Sequence, residues 1–214
     1  MNARYELYVI TDEGLSAGLT HLKIAKRAIA GGADVIQLRD KVRTSRQLLS
    51  IAKEISVYAR KNDVMFIVND RIDVALASDA HGVHLGQGDL QLREARGKAP
   101  PGFIIGISAF SARQAIEADR DGADYIALGP IFATTSKNDS ADECGIEMLI
   151  EVRGSISAPL LAIGGINPRN VSEVILAGAD GVAVISAVVS QPDIIKSARA
   201  LKGLIVEAKN SMIR

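Results

Sequence analysis

At 214 residues and 48% apolar content, the chain suits one domain or two small ones, with enough apolar mass for a large core. Basic and acidic residues balance at 25 each, so no global charge points to a polyanion or a membrane surface. Aromatics are 4% with no Trp, which leaves few platforms for stacking nucleic-acid bases.

Short aliphatic runs alternate with longer amphipathic segments. Strands are expected at Tyr5–Ile10, Val35–Leu38, Met65–Val68, Gly82–His84, Phe103–Ile107, Tyr125–Leu128, Leu160–Ile163 and Gly181–Ile185. Helices are expected at Leu19–Ala30, Ser45–Lys61, Arg71–Ser78, Leu90–Arg96, Ala112–Arg120, Ile146–Arg153, Val171–Ala177 and Ile194–Ala208, the last with Pro192 and Asp193 marking its start. Gly32-Ala33-Asp34, Gly122-Ala123-Asp124 and Gly178-Ala179-Asp180 each sit between a helix and a strand, and Asp79-Ala80-His81-Gly82 occupies a comparable place. Glycine ends a helix cheaply in the left-handed conformation, and the spacing suggests a repeat of two βα units. Eight βα units with continuously apolar strands predict a single (β/α)8 barrel over residues 1–214; an open doubly wound sheet is the runner-up. In a barrel, chemistry gathers where the strands end at their carboxyl side.

Asp12 follows strand one and either reaches the site or bonds local amides. Strand two runs into Gln37, Arg39 and Lys41, which strand alternation would place on one face. Buried charge needs a partner, so this end is either a solvated mouth or an anion site. Strands three and four lead to Asn69-Asp70 and to Asp89, each of which could merely cap the next helix. Together, two carboxylates beside a polyphosphate suit Mg²⁺, and no soft Cys/His set competes. His81 and His84, three apart on a strand, face opposite sides and do not form a zinc pair. Ser108 after strand five could orient a heteroaromatic ring, and without a nearby His it does not read as a hydrolase nucleophile. The long segment Gly129–Asp139 after strand six is rich in hydroxyls and carries Lys137, the marks of a functional lid or of a plain surface loop. Gly164-Gly165 after strand seven and Ile185-Ser186 after strand eight fall where barrels often bind phosphate. The pattern is therefore a cationic, metal-assisted anion site at strands two to four and an amide-lined one at strands seven and eight, which suits two phosphorylated small-molecule substrates, one of them losing diphosphate.

Cys144 stands alone, so no intrachain disulfide forms; it fits a reducing compartment and is set aside as a nucleophile. No apolar run reaches roughly 18 residues and the amino-terminal stretch lacks an apolar h-region, so a soluble cytoplasmic protein is expected, with neither a membrane nor a nucleic-acid partner. A homo-oligomer stays open.

The ordered set Tyr8–Asp12, Gln37–Lys41, Val68-Asn69-Asp70, Val83–Asp89, Gly106-Ile107-Ser108, Gly129–Lys137, Gly164-Gly165-Ile166 and Val184–Ala187 resembles the thiamine-phosphate synthase family along nearly the whole chain. The resemblance implies a transferase that joins hydroxymethylpyrimidine diphosphate to a thiazole monophosphate, giving thiamine monophosphate and diphosphate by a dissociative route. It also implies that Gln37, Arg39, Lys41, Asn69 and Lys137 hold the pyrimidine diphosphate, with Arg39, Lys41 and Lys137 stabilising the leaving group. Asp70 and Asp89 would bind Mg²⁺, Ser108 would contact the pyrimidine, and Thr134, Ser136, Gly165, Ile185 and Ser186 would surround the thiazole phosphate.

Two departures stand out. Ser136 replaces the family's usual Thr and keeps the hydroxyl. Phe110 stands where a His is usual; the related thiazole tautomerase uses that His in proton transfer, so Phe110 argues against an isomerase on this fold. A non-catalytic thiamine-phosphate-binding protein is the other alternative, and the intact ligand set gives no reason to expect it.

Overall fold

The computed structural model describes residues 5–134 and 142–212. Eight parallel strands close in sequence order: β1 (Leu7–Thr11), β2 (Val35–Leu38), β3 (Met65–Asn69), β4 (Gly82–Leu85), β5 (Ile104–Ala109), β6 (Tyr125–Leu128), β7 (Leu160–Ile163) and β8 (Gly181–Val184), with β8 pairing back to β1. This is the (β/α)8 barrel expected, and strand boundaries move by one or two residues. Helices alternate with the strands: α1 (His21–Ala30), α2 (Ser45–Lys61), α3 (Ile72–Ala77), α4 (Leu92–Lys98), α5 (Ala112–Arg120), α6 (Gly145–Ser155) and α7 (Val171–Leu176). After β8 come α8 (Ser186–Val189) and α9 (Ile194–Ser211). The four-residue α8 is absent from the expected pattern, because a single turn is too short to show a periodicity. Asp193 does cap α9, its carboxylate accepting from Lys196 N at 3.0 Å.

Seven of the strands are buried at every position but for an end residue of β3 and β7, so that β1, β2, β4, β6 and β8 are fully buried; β5 alone shows two partly exposed residues. A strand buried on both faces reads as a continuous apolar run, which is why these segments were legible. The outward residues, such as Leu7, Val9, Ile36 and Leu38, pack under the helices as part of the core.

The Gly-Ala-Asp repeat closes the barrel floor. Gly32, Gly122 and Gly178 have φ of 96°, 88° and 105°, the left-handed turn that ends each helix. The following aspartate then accepts an amide at the start of the neighbouring strand: Asp34 from Leu7 N at 2.8 Å, Asp124 from Ile105 N at 2.7 Å and Asp180 from Leu160 N at 2.8 Å. Each also meets a cation, Lys202, Arg96 and Arg153 respectively. In the fourth place, Asp79 takes the positive φ of 52°, and His81 Nδ1 replaces the carboxylate by accepting from Phe66 N at 3.0 Å. Caps on β1, β3, β5 and β7 thus recur every two βα units, which bears out the repeat.

Candidate active site

At the carboxyl mouth, β2 ends at Leu38, so strand alternation stops before Arg39 and Lys41. The expectation that Gln37, Arg39 and Lys41 share one strand face is corrected accordingly. Gln37 points into the barrel at 2% exposure, its Nε2 donating to Tyr8 Oη at 2.7 Å. Arg39 lies above it, half-buried, with Nη1 3.6 Å from Asp12 Oδ2. Asp12 also accepts from Leu15 N through Oδ1 at 3.1 Å, so it both ties its own loop and faces the site. Lys41 is exposed.

Asp40, between the two cations, turns away from the mouth. It bonds Arg43, the amides of Val42 and Arg43 at 2.8 Å each, and His21 Nε2 at 3.1 Å. Burial by itself would raise this carboxyl; the two amides, then Arg43 and His21, outweigh it and hold Asp40 well below the usual carboxylate range. His21 in turn meets Thr11 Oγ1 at 2.7 Å. This buried cluster fixes the ends of β1 and β2, and therefore the loop that carries Arg39 and Lys41.

Neither Asp70 nor Asp89 serves as a helix cap. The cap of α3 is Arg71 and that of α4 is Gln91, both without a side-chain hydrogen bond. Asp70 adopts φ 60°, uncommon for a non-glycine residue, with its amide held by His84 O at 2.8 Å. Asp89 Oδ2 accepts from Gly86 N at 2.7 Å. Burial first, then the adjacent Asp89 carboxylate, push Asp70 up to about 6, against the opposing pull of Lys41 and Arg39. Two neighbouring carboxyl groups, with two cations beside them, are thus gathered at one mouth. Among the described residues no cluster of three or more His, Cys, Asp or Glu side chains exists. The pair fits a hard dication that takes its remaining ligands from substrate oxygens. Asn69 ends β3 beside Asp70, opposite His84 in register.

Across the mouth, one pocket brings together Ser108, Thr134, Gly165, Ile185 and Ser186, with Phe110 at its edge. Gly164 and Gly165 have φ of 96° and 65°. A Cβ on Gly164 would stand 2.5 Å from Pro130 Cα, and one on Gly165 would stand 2.6 Å from Ala133 O, so only glycine lets the β7 loop pack under the β6 loop. Ser186 opens α8, whose first turn faces a crevice shared with Thr134, Gly165 and Ala187. The leading amides of a helix have no partner within it and favour an anion. Lys137 and Ser136 lie outside the described residues.

Three further residues stand inside the barrel, Tyr8, His84 and Tyr125, and His84 Nε2 lies 2.8 Å from Ser108 Oγ, so the expectation that no His stands near Ser108 is corrected. The polar side chains Gln37, His84 and Ser108 and the Tyr hydroxyls form one hydrogen-bonded series. The signal for them is a polar group at a strand position where the neighbours are aliphatic. His81 precedes β4 at the floor, where its Nδ1 accepts from Phe66 N at 3.0 Å.

A family profile described as thiamine monophosphate synthase matches residues 7–188. A thiamine-phosphate synthase of Methanocella arvoryzae is 57% identical over 208 residues, covering 97% of this chain and 98% of the relative. One of Chloroflexus aurantiacus is 47% identical, covering 94% and 93%. Among solved structures, a thiamine phosphate pyrophosphorylase from Pyrococcus furiosus superposes with a TM-score of 0.90 at 40% identity, covering 96% of this chain and 98% of that one. With likeness running through the barrel and both groups of mouth residues, the chain belongs to the thiamine monophosphate synthase family.

Proposed function

We infer that the chain is a thiamine-phosphate synthase: a transferase that joins hydroxymethylpyrimidine diphosphate to a thiazole monophosphate and releases diphosphate, or uses the thiazole's carboxylated form with release of CO2 as well. The observation that carries this reading is the pairing, on one mouth, of a cation-and-carboxylate cluster with a pocket lined by Ser108, Thr134, Gly164, Gly165 and Ser186, in a chain 57% identical to a protein named for that activity.

The reaction breaks the bond between the pyrimidine methylene and the diphosphate oxygen, the electron pair leaving with diphosphate. The aminopyrimidine ring stabilises the resulting methylene cation, and the lone pair of the thiazole nitrogen forms the new C–N bond. Because the nucleophile is a substrate nitrogen, no protein nucleophile or general base is needed. Catalysis then rests on positioning and on charge placed against the leaving group.

Arg39 offers a planar fork to phosphate oxygens, and Lys41 a movable point charge. Asn69 and Gln37 are assigned to the same substrate, Gln37 from deeper in the barrel. Asp70 and Asp89 would hold Mg²⁺, which supplies charge neutralisation on the diphosphate. Lys137 is assigned a third positive charge, and Ser136 with Thr134, Gly165, Ile185 and Ser186 the thiazole phosphate. Ser108 is assigned the pyrimidine ring. Among the described residues no helix is long and apolar enough to cross a membrane. A cytoplasmic location suits substrates whose charged phosphates are costly to move through a bilayer.

Incubation of the protein with both substrates and Mg²⁺ tests the reading: thiamine monophosphate and diphosphate should appear together in equal amounts. Absence of both across a range of metals and pH would overturn it. Turnover of a thiazole carboxylate phosphate alone, without metal, would instead assign a tautomerase.

A further inference from the structure

Four tyrosines occur in the chain, and three of them, Tyr5, Tyr8 and Tyr125, stand in the barrel interior. Tyr125 crosses the barrel because Gly106 on β5 has no side chain: a Cβ there would lie 2.0 Å from Tyr125 Cζ. The ring stacks on His84, centroids 5.5 Å apart and planes 20° apart. Its hydroxyl is the centre of an unbroken series: Gln37 Nε2 to Tyr8 Oη at 2.7 Å, Tyr8 Oη to Tyr125 Oη at 2.9 Å, Tyr125 Oη to His84 Nδ1 at 3.0 Å, and His84 Nε2 to Ser108 Oγ at 2.8 Å. Every member but Ser108 is more than nine-tenths buried.

The direction of this series follows from counting protons. The Gln37 amide nitrogen can only donate, so Tyr8 accepts from it. The two polar partners of the buried Tyr8 hydroxyl are Gln37 and Tyr125. If Tyr125 donated to Tyr8, neither Gln37 Nε2 nor Tyr125 Oη would be left to accept the Tyr8 proton, and a buried donor without an acceptor is costly. Tyr8 therefore donates to Tyr125, and Tyr125 donates to His84 Nδ1. His84 Nε2 must then carry the ring proton and give it to Ser108 Oγ. With its oxygen accepting from His84, the Ser108 hydroxyl has its own proton to direct elsewhere, and Ser108 lines the pocket. Burial pushes the Tyr8 and Tyr125 hydroxyls far above their ordinary range, so both stay protonated through the physiological span.

We infer that Tyr8 and Tyr125 are positioning residues: the series that starts at Gln37 locks His84 as its Nε2–H tautomer and presents Ser108 as a hydrogen-bond donor to an acceptor nitrogen of the bound heteroaromatic ring. That the ring is a pyrimidine rests on the function proposed above. The polarity of the series does not, because it is built from protein atoms alone. The same proton count leaves the Gln37 carbonyl oxygen as an acceptor, complementary to a ring amine. Donor and acceptor thus come from opposite sides of the barrel, and both are set by the two tyrosines.

The test reads the ring nitrogens of His84 by ¹⁵N NMR in substrate-free protein, the three histidines of the chain being assigned by substitution. A protonated Nε2 and a bare Nδ1 are expected; a proton on Nδ1 overturns the inference. Tyr125→Phe keeps the ring packing and removes the central hydroxyl. It should mix the two His84 tautomers and raise KM for the pyrimidine diphosphate about tenfold, with kcat within about threefold, since a hydrogen bond made equally in ground and transition states acts on binding. Tyr5→Phe, which alters the neighbouring ring at 5.2 Å but no member of the series, should move neither readout. Kinetics and tautomer unchanged in Tyr125→Phe would overturn the positioning role. Were that variant not to fold, the unaltered protein's spectrum would still decide the polarity. Failure of the unaltered protein to make product would remove the functional reading and leave the tautomer result standing.

Discussion

The two mouths of this barrel use charge in opposite ways. At the floor, each Asp of the Gly-Ala-Asp repeat is matched twice, by a strand amide and by a cation. At the other mouth, Asp70 and Asp89 face each other, and Asp70 is pushed up to about 6 by burial and by that neighbour. The floor is periodic, recurring on every second strand, while the upper mouth has no internal symmetry at all. A carboxylate paired by the protein itself contributes to closure. One set against another carboxylate repels it, which raises its pKa and costs the fold stability. The same side chain is structural or functional according to whether its partner belongs to the chain.

That contrast breaks most visibly if the upper pair is removed. Asp70→Asn with Asp89→Asn should abolish metal-dependent condensation, a loss of at least about 10³-fold, since metal-borne charge stabilisation is worth several kcal/mol. Stability of the metal-free protein at neutral pH should rise in chemical denaturation, because two facing carboxylates are gone. A fall in stability would place the pair with the floor caps. Arg39→Ala comes next, with kcat expected to drop about 10²-fold and KM for the diphosphate substrate to rise as well. A change in KM alone would reduce the β2 end to a docking site. Asp34→Ala tests the floor. It leaves Leu7 N without its acceptor and takes one of two carboxylates from Lys202, which keeps Glu6 at 2.7 Å, and should cost about 1–3 kcal/mol in urea unfolding. Activity per folded molecule should stay within about twofold; a large loss of kcat would mean the floor is coupled to the chemistry.

The floor was readable in the sequence and the interior was not, for a physical reason. A turn that needs a left-handed residue before a strand leaves a local mark, Gly-Ala-Asp, visible without any tertiary contact. The strands were equally legible, because burial on both faces makes them continuously apolar, and each boundary fell within two residues. The upper mouth was legible as a gathering of residue types, Arg39, Lys41, Asp70 and Asp89, but not as geometry. Strand alternation could not know that β2 stops at Leu38, nor that Asp70 caps no helix. The interior series depends on Gly106 making room for Tyr125 across the barrel, a relation between strands that adjacent residues do not encode. Tyr8, His84 and Tyr125 each look like an ordinary half-polar strand residue, and they acquire meaning only when side chains from three strands meet at 2.9 and 3.0 Å. Ser136 and Lys137, named from the sequence, fall outside the described residues.

Asp40 gives the smallest effect and the sharpest version of the comparison. It sits at the upper mouth between Arg39 and Lys41, yet it is wired like a floor aspartate, with two amides, Arg43 and His21 around it. Its folded-state pKa lies below the ordinary value of about 3.9, so the stability it contributes is present above that pH and is lost as pH falls through and below it. Asp40→Asn should therefore cost about 1–2 kcal/mol at pH 7 in urea unfolding. The gap to the unaltered protein should narrow steadily below about pH 4. A gap that stays constant down to pH 2 would show that the variant acts through packing, and that Asp40 is not held as a carboxylate by its neighbours. The narrowing gap instead would assign Asp40 to the closing half of the charge ledger despite its address, leaving Arg39 and Lys41 as the residues beside it whose charge faces a ligand.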